Sequence, residues 1–247
     1  MLDDPINQAI AYHGEVDPKG CRAVQQMMDD QTVRSAVYYQ ETDSTNTAAI
    51  GQIQESGVVR ERLPLLILAD MQLAGRGRRG RRWSSDAGTL TFSLVITDQD
   101  PQRQSLLAKY CSLAVGVGIA RYLEYEFAPL KVKLKWPNDV YLAGGKLAGI
   151  LIEVPSGKAD CLVIGVGVNV GTQPVLDDKE RLQSVTCLSH VLGRSMHRYD
   201  LLPGLVNSIL ASVASVSGMP RDLLTDFTDR CVLTGQQIEY QNNGVRT

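Results

Sequence analysis

The sequence predicts an α+β fold: a mixed, largely antiparallel central sheet flanked by helices. Three observations carry this. Short runs rich in apolar and β-branched residues recur through the first two-thirds of the chain, as in residues 64–69 (PLLILA) and 89–97 (TLTFSLVIT). Gly144-Gly145 stands between two apolar runs, which is a hairpin signal. Consecutive hairpin strands argue against a doubly wound parallel sheet. Two longer stretches, 103–126 and about 179–228, carry apolar residues at helical spacing.

Taken in order, residues 1–20 have no clear period, and residues 21–30 fit a short helix. A strand is expected from Ala36 to Glu41. Asp43 and Ser44 are N-cap types, which predicts a helix through about Glu55. Residues 64–69 and 89–97 are strands, and 103–126 is one long helix. Residues 131–135 (KVKLK) alternate strictly, as a strand with one wet face does. Strands follow at Leu147–Val154 and Cys161–Val170. The helical stretch after 179 is interrupted around Gly193 and Gly218, and a new β element is expected over Val232–Tyr240.

Bulk composition narrows the function. Apolar residues make up 44% of 247, enough to bury a core, so disorder is not expected. The net charge of −2 hides an asymmetry. Arg76, Arg78, Arg79, Arg81 and Arg82 crowd one loop, leaving 20 basic against 27 acidic residues elsewhere. That pattern fits a local anion site better than a nucleic-acid surface. The five cysteines form no CxxC pair and are odd in number, which argues against a disulfide framework and a zinc site. The N-terminus is acidic and lacks a secretory apolar run, and no segment is read as long enough to span a bilayer. A reducing, cytoplasmic compartment is therefore expected.

Gly75, Gly77 and Gly80 spell GxGxxG, a weak dinucleotide signal whose context fails here. The Rossmann motif opens a helix directly after a strand. These glycines lead instead into RRWSSDAG and another strand. Glycines give the backbone freedom, and arginines supply forked donors for phosphate or carboxylate. Like charges this close repel, which predicts a loop that is loose until an anion neutralises it. The composition fits an ordering lid and a solvated basic turn equally well.

Three blocks, in order, now resemble one family. Asp43-Ser44-Thr45-Asn46 and Asp70-Met71-Gln72 precede Gly75 to Trp83 (GRGRRGRRW). Lys135-Trp136-Pro137-Asn138-Asp139 precedes the stretch from Gly145 to Glu153 (GKLAGILIE), and residues 165–170 (GVGVNV) follow. This combination resembles bacterial biotin–protein ligases over about residues 36–171. The resemblance implies the biotin/lipoate ligase fold, which is like that of class II synthetases. It also implies a two-step reaction in which biotin and ATP form biotinyl-AMP, and a lysine of a biotin carboxyl carrier domain takes the biotin. Lipoate- or octanoate-protein ligases share the fold, but their glycine–arginine loop differs. A non-catalytic biotin binder and a nucleic-acid binder are rival functions from other classes.

Matched to the family motifs, Lys146 is implied to contact the biotin carboxylate and the reacting phosphate. A fixed cation there would stabilise the meeting of two anions; as a bare strand end, the same lysine would simply snorkel. Arg76 is implied at the carboxylate or acyl phosphate, and Arg78 nearer the phosphates. Lys146 and Arg76 are thus the implied catalytic pair. Ser44, Thr45, Asn46 and Gln72 can satisfy the donors and acceptor of a cyclic urea. Helix capping is the stronger local reading of Ser44 and Asn46, and a surface position that of Gln72. Gly77, Gly149 and Arg78, the last also on the phosphate side, complete the implied biotin set. Trp83 is implied beside the adenine, or it anchors the loop base. Asn138 is a candidate for the phosphate or metal, with Asp139 structural. Asn169 is either a nucleotide contact or a buried satisfier of backbone. Mg²⁺ is implied with ATP, with no protein-only metal site.

The resemblance also frames the domain organisation. Residues 1–231 are expected to form the catalytic domain. Residues 232–247 are expected to form the start of the family's small SH3-like β domain, with about one strand present. The roughly 35 residues before the first expected strand are too few for a winged helix-turn-helix, so no DNA operator binding is expected. Some family members form a homodimer through the central sheet; no pattern in this chain selects it.

Overall fold

Residues 10–57, 60–172, 184–216, 220–237, 241–242 and 245–246 are described by a computed structural model of the chain. Strand β1 (Ile10–His13) leads into α1 (Pro18–Asp29), which starts where the Asp17 carboxylate accepts from Lys19 N beside a proline suited to the first turn. Next come β2 (Ser35–Thr42), α2 (Thr45–Ser56), β3 (Leu65–Gln72) and β4 (Thr89–Thr97). Helix α3 (Pro101–Glu126) repeats the Asp-Pro start, with Asp100 accepting from Gln102 N. Strands β5 (Val132–Lys135), β6 (Asp139–Leu142), β7 (Gly145–Glu153) and β8 (Cys161–Asn169) follow as antiparallel neighbours. Helices α4 (Leu188–Leu192), α5 (Leu202–Ser215) and α6 (Pro220–Arg230) come next, then the short pair β9 (Gln241–Asn242) and β10 (Val245–Arg246).

The main sheet has eight strands in the order β1-β2-β3-β4-β8-β7-β6-β5. β1, β2 and β3 run parallel, joined through α1 and α2, and every other neighbouring pair is antiparallel. The sheet is therefore mixed and largely antiparallel, as expected. β1 itself is not expected from the sequence, because four residues are too few to display a period. The hairpin turn sits one residue earlier than Gly144-Gly145. Ala143 and Gly144 both take positive φ (49° and 80°), as a tight two-residue turn requires, and Gly145 already belongs to β7.

Period-two alternation sends the strands' larger residues to opposite faces. Tyr38, Leu66, Leu68, Phe92, Leu94, Ile164, Val166 and Ile150 bury into the main core against α1, α3, α5 and α6. On the other face, Val37, Ile67, Val95 and Val163 meet Ala49 and Ile53 of α2 in a smaller core. Among the described residues, α2 is the helix packed on this second face, against β3, β4 and β8.

Helix α3 corrects one expectation: it is long and apolar enough, by length and composition, to cross a membrane. Most of that apolar stretch is buried within the protein, with Val115, Val117, Ile119 and Leu123 fully inaccessible. Among the described residues, the helical stretch expected over 179–228 contains the three helices α4, α5 and α6; residues 179–183 and 217–219, with the interruption expected at Gly218, lie outside the described residues. The strand expected over 232–240 is not formed at 232–237; residues 238–240 lie outside the described residues. Val232 N instead donates to Leu134 O (2.8 Å), tying this segment to edge strand β5. The five cysteines are free thiols, with Cys111, Cys161 and Cys187 buried.

A buried polar hub holds the frame. Arg198 donates to the Asp70 carboxylate (2.8 Å) and to the carbonyls of Asp70, Asp86 and Thr89. The hydroxyls of Tyr38 and Tyr199 donate to the same Asp70 oxygen, and Asp17 N donates to the other. Burial, with the neighbouring Tyr199 and Asp70, pushes the Tyr38 phenol far above its ordinary range. This hub locks the end of β3, and with it Gln72, to the body of the protein.

Candidate active site

The second face of the sheet is built as three rows by strand register, the last of them partly under α2. Ala69, Thr91, Gly167, Gly149, Asp139 and Lys135 form one row. Ile67, Ser93, Gly165 and Leu151 form the next, and Leu65, Val95, Val163 and Glu153 the third. Glycines at the centre make a floor on which other side chains lie directly. A Cβ on Gly167 would stand 2.3 Å from Trp83 Cε2, and one on Gly165 would stand 2.2 Å from Asn46 Oδ1. A Cβ on Gly149 would meet Trp83 Cζ3 at 3.0 Å.

At one end of this floor, α2 presents its N-terminus. Ser44 occupies the N-cap position but its side chain makes no capping hydrogen bond. The capping expected of Ser44 is instead supplied by Gln72: its Oε1 accepts from Thr45 N (2.7 Å) and lies 3.1 Å from Thr45 Oγ1. Gln72 is thus no loose surface residue. The buried Ser93 hydroxyl donates to Asn46 Oδ1 (2.6 Å) and lies 2.8 Å from Thr45 Oγ1. Asn46 Nδ2 donates to Leu151 O (3.2 Å) and Glu153 Oε2 (2.7 Å). Asn46 therefore braces the floor rather than capping its helix.

The arginine loop is a closed structure, not the loose one that charge repulsion predicts. Arg76 and Arg82 pair as antiparallel partners, Gly77 N donates to Arg81 O (2.7 Å), and Trp83 N to Gly75 O (2.9 Å). Arg79 takes the left-handed conformation at φ 57° within a single 3-10 turn over 78–80. These backbone bonds, and the Glu153 carboxylate 2.8 Å from Arg76 Nη2, offset the repulsion. Gly75 permits a close approach, because a Cβ there would stand 2.5 Å from Trp83 O. Gly77 crosses the loop beside Arg81, and Arg78 is exposed at its tip.

At the other end, Lys146 Nζ lies 2.7 Å from Asp139 Oδ1 and 5.8 Å from the Trp83 ring centre. Its backbone is held by the returning segment 184–186: Lys146 N donates to Ser184 O and Thr186 N to Lys146 O. Asn169 Nδ2 donates to Thr186 O (3.1 Å) and lies 3.5 Å from Lys146 O, while its buried Oδ1 is without a hydrogen-bond partner. Trp83 Nε1 is likewise buried without a hydrogen-bond partner. Asn138 Nδ2 donates to Ile150 O (2.9 Å) and clips its turn onto β7. Burial raises the Tyr141 phenol, as does the charge of Asp139, against a smaller lowering by Arg81.

The fold thus brings the sequence-derived residues to one face but separates them into two ends. Thr45, Asn46, Gln72 and the Arg76 guanidinium gather with Glu153. Trp83, Lys146, Asp139 and Asn169 gather at the far end of the glycine floor. Arg76 and Lys146, the catalytic pair implied by the motifs, sit on different carboxylates. Sequence reasoning missed Ser93 and Glu153 as functional residues. A serine amid TLTFSLVIT and an acid closing an apolar strand were the available signals.

The Biotin/lipoate A/B protein ligase family profile matches residues 38–169, more than half of the chain. The chain belongs to this family. Family membership extends to other ligases. A biotin–(acetyl-CoA-carboxylase) ligase of Paracoccus denitrificans is 40% identical over 112 residues, covering 44% of this chain and 45% of its own. One from Mycobacterium tuberculosis is 30% identical over 183 residues, covering 73% and 65%. The matches to these two relatives thus span about half to two-thirds of the relatives' own length. The fold of this family member is that of the biotin protein ligase from Aquifex aeolicus, solved in complex with biotin and ATP. That likeness has a TM-score of 0.67 at 24% identity and covers 85% of this chain and 84% of the other.

Proposed function

We propose that this chain activates biotin with ATP and passes it to a lysine of a biotin carboxyl carrier domain. The biotin carboxylate attacks the α-phosphorus, the bond to the leaving pyrophosphate breaks, and biotinyl-AMP forms. The carrier lysine's amine then attacks the acyl carbon, and AMP departs with the bonding pair. The observation that carries this reading is the two-ended glycine floor. One end offers an amide and a hydroxyl for a cyclic urea (Gln72 and Thr45, braced by Asn46), and the other holds a cation, Lys146, against Trp83.

In this reading Lys146 faces the carboxylate and α-phosphate, where a preorganised positive charge favours the transition state. Leaving Asp139 for the substrate anions would free its charge. The unpaired Trp83 Nε1 and Asn169 Oδ1 are buried polar atoms of the kind a ligand satisfies. Arg78, at the loop tip, serves the phosphates. Among the described residues no three His, Cys, Asp or Glu gather as a metal site. Magnesium, implied with ATP, would be held chiefly by the nucleotide's own phosphates. The relatives named as biotin ligases support biotin over lipoate or octanoate.

Pyrophosphate exchange into ATP tests the proposal, with biotin, lipoate and octanoate offered separately. Exchange with biotin alone is expected. Exchange with lipoate or octanoate alone would move the chain to the other branch of the family. A chain that binds biotin without exchange would be a binder and not a ligase.

A further inference from the structure

The Glu153 carboxylate closes β7 in the same register row as Leu65, Val95 and Val163, where alternation would place another apolar residue against α2. It is instead a half-buried acid whose single oxygen, Oε2, accepts from two different elements. Asn46 Nδ2, at the start of α2, lies at 2.7 Å, and Arg76 Nη2, on the arginine loop, at 2.8 Å. Desolvating a carboxylate is costly unless it is paired, so an acid kept here needs a task. It ties the loop to the helix that carries Thr45 and Asn46.

The shared oxygen also settles the orientation of the Asn46 amide. A carboxylate can only accept, so Nδ2 faces Glu153 and Oδ1 faces the Ser93 hydroxyl. Both ends of that amide are then committed, and Asn46 acts as a brace between Glu153 and Ser93. Arg76 uses only one terminal nitrogen on Glu153, so the rest of its forked donor set stays available.

We propose that Glu153 is a positioning residue that holds Arg76 and the arginine loop closed over the Thr45–Asn46–Gln72 end of the floor. It acts through Arg76 and sets how tightly the acid substrate's head group is held, not how fast its carboxylate reacts at Lys146. This rests on the function proposed above for the ligand, but the contact itself exists without one.

Glu153→Gln separates the two partners. A glutamine carbonyl still accepts from Asn46 Nδ2, whereas the charge that holds Arg76 is lost. The expected result is an approximately tenfold weaker binding of biotin by calorimetry and a matching rise in KM, with kcat changed less than threefold. In an Arg76→Ala background the same substitution is expected to have no further effect. Trypsin cleavage of the ligand-free protein within residues 76–82 is expected to quicken several-fold in Glu153→Gln, with an unchanged unfolding midpoint. Parent-like biotin affinity, or an effect that persists in the Arg76→Ala background, would overturn the proposal. If the parent took no acid at all, the proposed function would fall, and the cleavage rate alone would decide whether Glu153 holds the loop. Equal cleavage of both proteins would then overturn it.

Discussion

The indole of Trp83 lies against the α-carbon of Gly167, so closely that an added Cβ would stand 2.5 Å from Trp83 Nε1. Gly149, one strand over, leaves 3.0 Å to the same ring. Gly167→Ala must displace the ring, whereas Gly149→Ala asks it to give by a few tenths of an ångström. We expect Gly167→Ala to weaken ATP binding at least tenfold and to cost about 1–3 kcal/mol of stability by overpacking. Gly149→Ala should lose markedly less. Nucleotide titration and denaturant unfolding of the two variants give the comparison.

Lys146→Ala removes the cation of the Trp83–Asp139 cluster, whose position is fixed by pairing on both sides of its backbone. Loss of one preorganised electrostatic partner costs about 2.7–4 kcal/mol in transition-state stabilisation. Adenylate formation is therefore expected to slow by about 10²–10³-fold, while biotin affinity changes little. Pyrophosphate exchange at saturating biotin checks it.

Ser93 is fully buried and stands between Thr45 and Asn46. Ser93→Ala leaves the Asn46 carbonyl oxygen without its donor, and an unsatisfied buried group costs about 1–3 kcal/mol. A lower unfolding midpoint and weaker biotin binding are expected together, measured on the same sample by thermal unfolding and calorimetry.

Asp70 is the acceptor for Arg198, Tyr38 and Tyr199 at once. Asp70→Ala strands the buried Arg198 charge, and breaking such a pair costs about 3–5 kcal/mol. Urea unfolding should show a large drop in midpoint. A loss of stability below about 1 kcal/mol would mean that the hub relaxes to admit water.

Asp86 supplies the pH dependence. Burial alone would raise its carboxyl, but hydrogen bonds from Thr172, Gly88 N and Thr89, with the charge of Arg198, together hold it below the usual carboxylate range. A folded-state value below the unfolded one stabilises the protein above the unfolded value, and that stability is lost as pH falls through the folded value. Asp86→Asn should therefore be less stable than the parent near neutral pH, with the difference shrinking under acid. Unfolding midpoints measured from pH 7 down to about pH 3 would show the convergence.

Much of the fold and of the site is legible in the sequence. Strand β4 has the limits expected of it, because nine residues of TLTFSLVIT suit little but a buried strand. The family motifs single out Lys146, Trp83 and the α2 N-terminus by residue type alone. The misses have identifiable reasons. β1 is too short to show a period. Ser44 is a good N-cap by local chemistry, yet a glutamine from β3, 27 positions beyond Thr45 in sequence, takes that task. Charge repulsion in the arginine loop is a sound local argument, but Glu153 is 77 positions away from Arg76 and offsets it.

By itself, then, the sequence determined most of the strands and helices, the crowding of arginines into one loop and the family, because periodicity and motif spacing are properties of neighbouring residues. Only the tertiary structure decided that Arg76 and Lys146 stand at opposite ends of one floor, on Glu153 and Asp139. It also decided that glycines on β7 and β8 make room for Trp83 and Asn46. Those relationships depend on strand register, and register is set by pairing across the sheet, between residues that no local window contains together.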